Sequence, residues 1–278
     1  MAGSALVLGG GGVTGIAWEL GILSGLAEAG VDLTDADLVV GTSAGSVVAA
    51  QLTTAGSLAD LYTAQVQQSG QEIAAKFGLG TVLKLVWASL RHRDEQRALA
   101  RVGAFALAAR TVSQEERLKV FAGRLAVHEW PQRRLKVTAV AADTGEFTVF
   151  DRDSGVSMVD AVAASCAVPG VWPPVDVNGR RYIDGGVRSP ANVDLAAGAD
   201  RVVVIAPLTA SIRRRGRVDA QLASLPAGTR SVLVTPSAAA KAAIGRNVLD
   251  PARRAPSARA GREQAAEVLA AVRAVWAP

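Results

Sequence analysis

The chain has 278 residues, half of them hydrophobic, and its 30 lysines and arginines outweigh 25 aspartates and glutamates for a net charge of +5. This length and apolar content suit one large core rather than two small domains. Aromatic residues make up 4% of the chain and no basic stripe interleaves with them, which excludes nucleic acid as a partner.

The N-terminal Met1-Ala2-Gly3-Ser4 lacks a basic secretory leader, and the apolar Ala5 to Leu8 that follows is too short for a signal core. Ala5 to Leu8 instead predicts a strand, Gly9 to Gly12 a backbone-only turn, and Ile16 to Ala29 a helix stopped by Gly30. Asp37 to Val40 predicts a second strand, running into Gly41-Thr42-Ser43-Ala44-Gly45 and a helix of small residues. Strands separated by helices predict a parallel sheet covered on both faces.

From Ser57 to Trp130 the pattern is helical throughout. There Leu79, Val82, Leu83, Val86, Trp87 and Leu90 share one apolar helix face flanked by Lys76, Lys84, Arg91 and Arg93. Such a face either packs on the core or dips into a lipid interface. Strand signals resume at Leu135 to Ala142, Glu146 to Phe150, Arg181 to Ile183, Val202 to Ile205 and Ser231 to Thr235. A polar connection before the last strand carries the Arg213 to Arg217 cluster, read as a solvated loop, and Gly261 to Trp276 predicts a closing helix. Cys166 is the one cysteine, which fits a reducing, cytoplasmic setting. No apolar run reaches the ~18 residues a membrane span needs. Any membrane contact is therefore expected to be peripheral, and the positive charge suits an anionic surface.

Gly41 to Gly45 fits G-x-S-x-G, the nucleophile elbow, in which small residues let the chain turn sharply from strand to helix and lift a serine clear of the sheet. Gly10 to Gly15 also fits the dinucleotide turn G-x-G-x-x-G. That reading requires an acid at the end of the second strand, where this chain has Gly41-Thr42-Ser43. The turn is better read as consecutive N–H groups aimed at a developing oxyanion.

A serine needs a base, usually histidine. The two histidines, His92 and His128, lie within the helical stretch, in a charged turn and in a loop. None follows residue 128, so a serine, acid, histidine order is excluded. Asp184, in Tyr182-Ile183-Asp184-Gly185-Gly186 at a strand end, is the strongest remaining candidate.

The Gly-rich turn, Gly-Thr-Ser-Ala-Gly some thirty residues on, the stretch Ala161 to Gly170 with Trp172 to Val175, and the late Asp-Gly-Gly together resemble the patatin-like phospholipase family. The resemblance covers Leu6 to Ala196, with a weaker echo at Leu249-Asp250-Pro251. It implies a Ser43–Asp184 dyad without histidine, with Gly41 and Gly45 framing the elbow and Gly10, Gly11 and Gly12 as oxyanion donors. Where that family usually carries Arg or Lys before the last glycine of the turn, this chain has Thr14.

The fold so implied is α/β: a three-layer sandwich with a mostly parallel central sheet, helices on both faces, and residues 57–130 as a helical insertion over the active site. The activity implied is hydrolysis of lipid acyl esters through an acyl-serine, with no cofactor and no metal. Two alternatives are a catalytically silent lipid-binding protein and a serine acyltransferase using thioesters. The latter usually needs a histidine beside the serine, where Thr42 stands. Oligomeric state is not legible in the sequence.

Overall fold

The computed structural model describes residues 3–54, 57–67, 92–125 and 127–277. The first half runs β1 (Ser4–Leu8), α1 (Gly12–Glu28), β2 (Leu38–Gly41), α2 (Ala44–Thr54), α3 (Leu58–Val66), α4 (Glu95–Ala108) and α5 (Gln114–Arg124). The second half runs β3 (Arg134–Ala141), β4 (Phe147–Phe150), α6 (Met158–Ser165), β5 (Val175–Val177), β6 (Arg180–Asp184), β7 (Arg201–Ile205), α7 (Val218–Ala223), β8 (Arg230–Val234), α8 (Ala238–Ile244) and α9 (Arg254–Trp276).

One eight-stranded sheet has the order β5-β6-β3-β2-β1-β7-β8, with β4 also on β3. The run β3-β2-β1-β7-β8 is parallel, and β4, β5 and β6 pair antiparallel. The strands are apolar on both faces, as a covered parallel sheet requires. Leu6, Leu8, Val39, Val203 and Ile205 pack under α1, α2 and α9. Ala5, Val7, Val40, Val202 and Val204 face the short helical turn Val193–Ala196 and α7. On that second face Leu99, Val102 and Ala106 of α4 cover Val140, Ala142 and Ile183. The result is the three-layer α/β architecture expected from the strand and helix pattern.

Local chemistry explains most element ends. Gly30 follows α1 with φ +80°, supplying the left-handed stop its position predicts. Ser113 and Glu116 close a reciprocal capping box on α5, and Asp94 caps α4 by accepting from Arg97 N at 2.7 Å. The observed α1 begins at Gly12, four residues before the predicted start. α9 begins at Arg254, seven before its predicted start, with Pro256 in a first turn that tolerates proline. The β5–β6 hairpin was not anticipated, although Asn178-Gly179, both at positive φ, forms its two-residue turn. Among the described residues, 57–67, 92–125 and 127–130 contain helices and no strand. The amphipathic face expected at Leu79 to Leu90 lies outside the described residues. No helix among the described residues is long and apolar enough to cross a membrane.

Helices α1 and α9 pack almost backbone to backbone. A Cβ at Gly21 meets Ala258 O at 2.2 Å, and one at Gly261 meets Trp18 O at 2.3 Å. Trp18 Nε1 donates to Gln264 Oε1 across the same contact at 3.0 Å. Gly21→Val is expected to destabilise the fold by about 1–3 kcal/mol through overpacking. Chemical unfolding measures this, and an unchanged midpoint would contradict so close an approach.

Candidate active site

The register of β3 creates the site. Residues Val137 to Val140 of β3 pair with β4 on one edge. On the opposite edge, β2 pairs up to Gly41 against Val137, while β6 pairs down to Asp184 against Ala139. The C-terminal ends of β2 and β6 therefore point at each other along a single strand edge, with Thr138 between them. Ser43 leaves one end and Asp184 is the other.

The turn after β2 is a tight elbow. Ser43 has φ +52°, a left-handed conformation that costs an L-residue energy and signals function when tertiary structure enforces it. Gly41 and Gly45 permit it: a Cβ at Gly41 meets Ser46 Cα at 2.5 Å, and one at Gly45 meets Leu8 O at 2.1 Å. Gly45 N donates to Gly9 O at 2.9 Å and Thr42 N donates to Leu8 O at 3.1 Å, locking the elbow to the turn after β1. Ser43 N donates to Ser165 Oγ at 2.9 Å, while α2 begins directly behind the serine and presents its positive dipole end.

Asp184 is buried. Loss of solvent pushes its carboxyl up to about 7, while hydrogen bonding from the Ser43 side chain and from the Gly186 N–H at 2.7 Å pulls the other way. Gly185 is required by space, because a Cβ there meets Thr138 Oγ1 at 2.3 Å. One cavity of about 300 Å³, the lower end of the range for small-molecule sites, is lined by Ser43, Asp184, Gly10, Gly11 and Gly12. The predicted site residues therefore come together, with Gly41 and Gly45 behind Ser43 as backbone supports.

The three glycines of the first turn differ. Gly10 N donates to Pro190 O at 2.7 Å, so that amide is committed to holding the turn. Gly12 has φ +61° and lies where a Cβ meets Val248 O at 2.5 Å; a Cβ at Gly11 meets the Pro207 ring at 2.6 Å. Thr14 is buried and is not among the residues that line the cavity; its Oγ1 donates to Val248 O at 3.2 Å.

Other residues of the site escaped sequence reasoning. Thr42 Oγ1 and Thr138 Oγ1 share a 2.9 Å hydrogen bond, and buried Asn192 donates from Nδ2 to Thr42 Oγ1 at 3.0 Å and Ser189 O at 3.0 Å. This network ties the elbow, β3 and the turn after Asp184 into one unit. Asn192 itself holds φ +51°, for which an Asn in Ser189-Pro190-Ala191-Asn192 is the only sequence hint. Arg117 and Arg124 of α5 also line the cavity.

The histidines stay out of it. His128 Nε2 meets Ala122 O at 3.1 Å, and the His92 carbonyl accepts from Arg213. The arginine cluster is less solvated than expected at its first member, since Arg213 also donates to Arg93 O at 3.1 Å and pins this turn. Buried Cys166 donates to Ser43 O at 3.2 Å, and burial pushes its thiol up to about 12. Among the described residues no group of three His, Cys, Asp or Glu side chains is placed to hold a metal ion.

Glu19 is a second buried carboxyl, under the Gly-rich turn. Both its oxygens lack a hydrogen-bond partner among the described residues. The neighbouring Gly9 amide exerts only a lowering pull while donating its own hydrogen to Ile205 O at 2.9 Å. Burial holds the Glu19 carboxyl well above the usual carboxylate range. The folded protein thus keeps a proton that the unfolded chain releases, and stability falls as pH rises from the unfolded value toward the folded one. Glu19→Gln removes that dependence. In thermal melts the variant should match the parent near pH 5 and exceed it at pH 8, the gap widening by up to about 1.4 kcal/mol per pH unit. A constant gap across this range would mean that Glu19 is ionised in the fold.

A family model described as patatin-like phospholipase matches residues 6–197. The chain is similar to an uncharacterized NTE family protein of Mycobacterium bovis, 29% identical over 204 residues that cover 73% of this chain and 48% of the relative. Uncharacterized NTE family proteins from two strains of Mycobacterium tuberculosis match with the same figures. The chain spans about half the length of these curated relatives. Among solved structures it is similar to VipD from Legionella pneumophila, at 14% identity and TM-score 0.49, covering 97% of this chain and 67% of that one. It is also similar to the type III effector protein ExoU, at 15% identity and TM-score 0.45, covering 100% of this chain and 54% of that one.

Proposed function

This chain belongs to the patatin-like phospholipase family, and from that premise we propose that it is a lipid acyl hydrolase working through a Ser43–Asp184 dyad. The observation that carries this reading is the meeting of two strand ends on one edge of β3, which sets an elbow serine beside a buried carboxylate. Asp184 takes the Ser43 proton as Oγ attacks an ester carbonyl; the acyl-serine that forms is released by water activated by the same carboxylate. An aspartate with its ordinary pKa is a weak base at neutral pH, and the burial that pushes Asp184 up to about 7 brings it into the working range.

The oxyanion is received by the amides of Gly11 and Gly12, at the N-terminus of α1, while Gly10 shapes the turn through Pro190. Among the described residues of the 57–130 stretch, Val102 of α4, with Arg117 and Arg124 of α5, supplies one wall of the cavity, as a cap within a single unit would. The remaining lining is mostly apolar, including Ile16, Val168, Trp172, Leu208 and Leu249, which suits an acyl chain. The substrate is a lipid ester, met at an anionic membrane surface that the net positive charge favours.

Ser43→Ala and Asp184→Asn are each expected to lower hydrolysis of a short-chain nitrophenyl ester by roughly a thousandfold or more. A fluorophosphonate probe should label the parent at Ser43 and leave the alanine variant unmodified. Retention of parental rates in a folded variant of either residue defeats the dyad.

Because the reaction needs the ionised form of Asp184, kcat/KM should rise with pH through a midpoint near 7. A midpoint in the ordinary carboxylate range would remove the buried aspartate from the role of base.

A further inference from the structure

Three large hydrophobic side chains among the described residues are exposed, and two of them, Leu208 and Ile212 at 45% each, stand on the connection between β7 and α7. Both also line the cavity that holds Ser43 and Asp184. Lining a cavity does not by itself expose a side chain: Ile16, Trp172 and Leu249 line the same one at 5–6%. Leu208 and Ile212 therefore stand at its mouth, facing the cavity on one side and solvent on the other. An apolar rim left open to water around an apolar cavity marks an interaction surface.

The same connection carries charge. Arg213, Arg214, Arg215 and Arg217 follow Ile212, and no acid occurs from Pro207 to Val218. Arg213 holds the loop in place by donating to the carbonyls of His92 and Arg93, and Arg217 pairs with Asp219 at 2.9 Å. Arg214 and Arg215 are exposed, and their side chains make no hydrogen bond or ion pair among the described residues. Asp94, Glu95 and Glu146 share a surface groove with these arginines. Asp94 caps α4 and Glu146 is held by Arg180, which leaves Glu95 to offset the charge. The loop is also built in advance of any partner. Val218 N donates to Thr209 O at 3.2 Å and closes its two ends, and Gly216 N donates to Arg213 O at 2.9 Å. Gly216 packs on the turn after Asp184, where a Cβ would meet Arg188 O at 2.2 Å. A loop ordered beforehand presents its apolar side chains with little loss of backbone freedom on binding.

We propose that this connection is the surface by which the protein docks on an anionic lipid bilayer, with Leu208 and Ile212 entering the interface and Arg214 and Arg215 meeting its anionic head groups. The proposal rests on the acyl-hydrolase reading above and deepens it: the cavity mouth is set against the membrane, so an acyl chain passes from bilayer to Ser43 along apolar side chains without crossing water. Two aliphatic side chains are too few for the core of a protein interface. A small apolar rim beside unpaired cations is the composition that an anionic lipid interface takes up.

Docking is tested apart from turnover by sedimenting Ser43→Ala protein with phosphatidylcholine vesicles that contain or lack phosphatidylglycerol. Vesicles with phosphatidylglycerol should bind about tenfold more tightly or better, and Arg214→Gln with Arg215→Gln should remove about tenfold of that affinity and reduce its sensitivity to salt. Leu208→Ser with Ile212→Ser should weaken binding by about fivefold or more and leave the salt sensitivity in place. All four positions are exposed, which keeps the fold out of the measurement. Binding that is indifferent to phosphatidylglycerol, or that survives both double variants, overturns the proposal. With Ser43 intact, Arg214→Gln with Arg215→Gln should leave hydrolysis of a soluble nitrophenyl ester unchanged and lower hydrolysis of an ester presented in those vesicles by about tenfold; an equal fall for both esters also overturns it. Loop-dependent binding with hydrolysis of neither ester supports the docking surface and defeats the hydrolase reading. Hydrolysis of the soluble ester with vesicle binding independent of the loop does the reverse.

Discussion

Everything at the site depends on two strands sharing one edge of β3 and ending two residues apart. β2 arrives parallel and stops at Gly41 opposite Val137; β6 arrives antiparallel and stops at Asp184 opposite Ala139. Two backbones converging this closely leave little volume between them, and the residues at the junction are small or hydroxylated for that reason. Gly41, Gly45 and Gly185 each occupy a position where a Cβ lies within 2.5 Å of another atom. Thr138, in the gap, passes its hydroxyl to Thr42. A carboxylate placed at such a junction reaches the serine directly.

The same compression sets the electrostatics. A strand end covered by α4 and by the turn at residues 185–192 sees little water, so the Asp184 carboxyl is pushed up rather than down. Glu19 experiences the same loss of solvent without a serine beside it, and its carboxyl is held well above the usual carboxylate range for the same physical reason. The two arginines that line the cavity lie over aromatic rings, which take up part of the desolvation cost.

Much of this was legible because the decisive residues lie close together in sequence or carry strong local preferences. Gly30 announces the end of α1 and Gly41 to Gly45 the elbow, each within one turn of chain. The Asn178-Gly179 hairpin was equally readable, but its strands are too short to show alternation. α1 and α9 began earlier than periodicity suggested, because glycine and proline in a first turn hide a helix that tertiary packing completes.

By itself, the sequence determined the glycine-flanked serine turn and a parallel sheet covered on both faces, since each follows from steric rules acting over a few residues, and it shows no histidine after residue 128. Tertiary structure alone decided the rest. It brought Asp184 to within hydrogen-bonding reach of Ser43, 141 residues earlier in the chain, committed the Gly10 amide to Pro190, and delivered Arg117 and Arg124 to the same cavity. Those placements depend on strand register and helix docking, which are settled by the collective packing of distant segments and leave no mark on the residues they bring together.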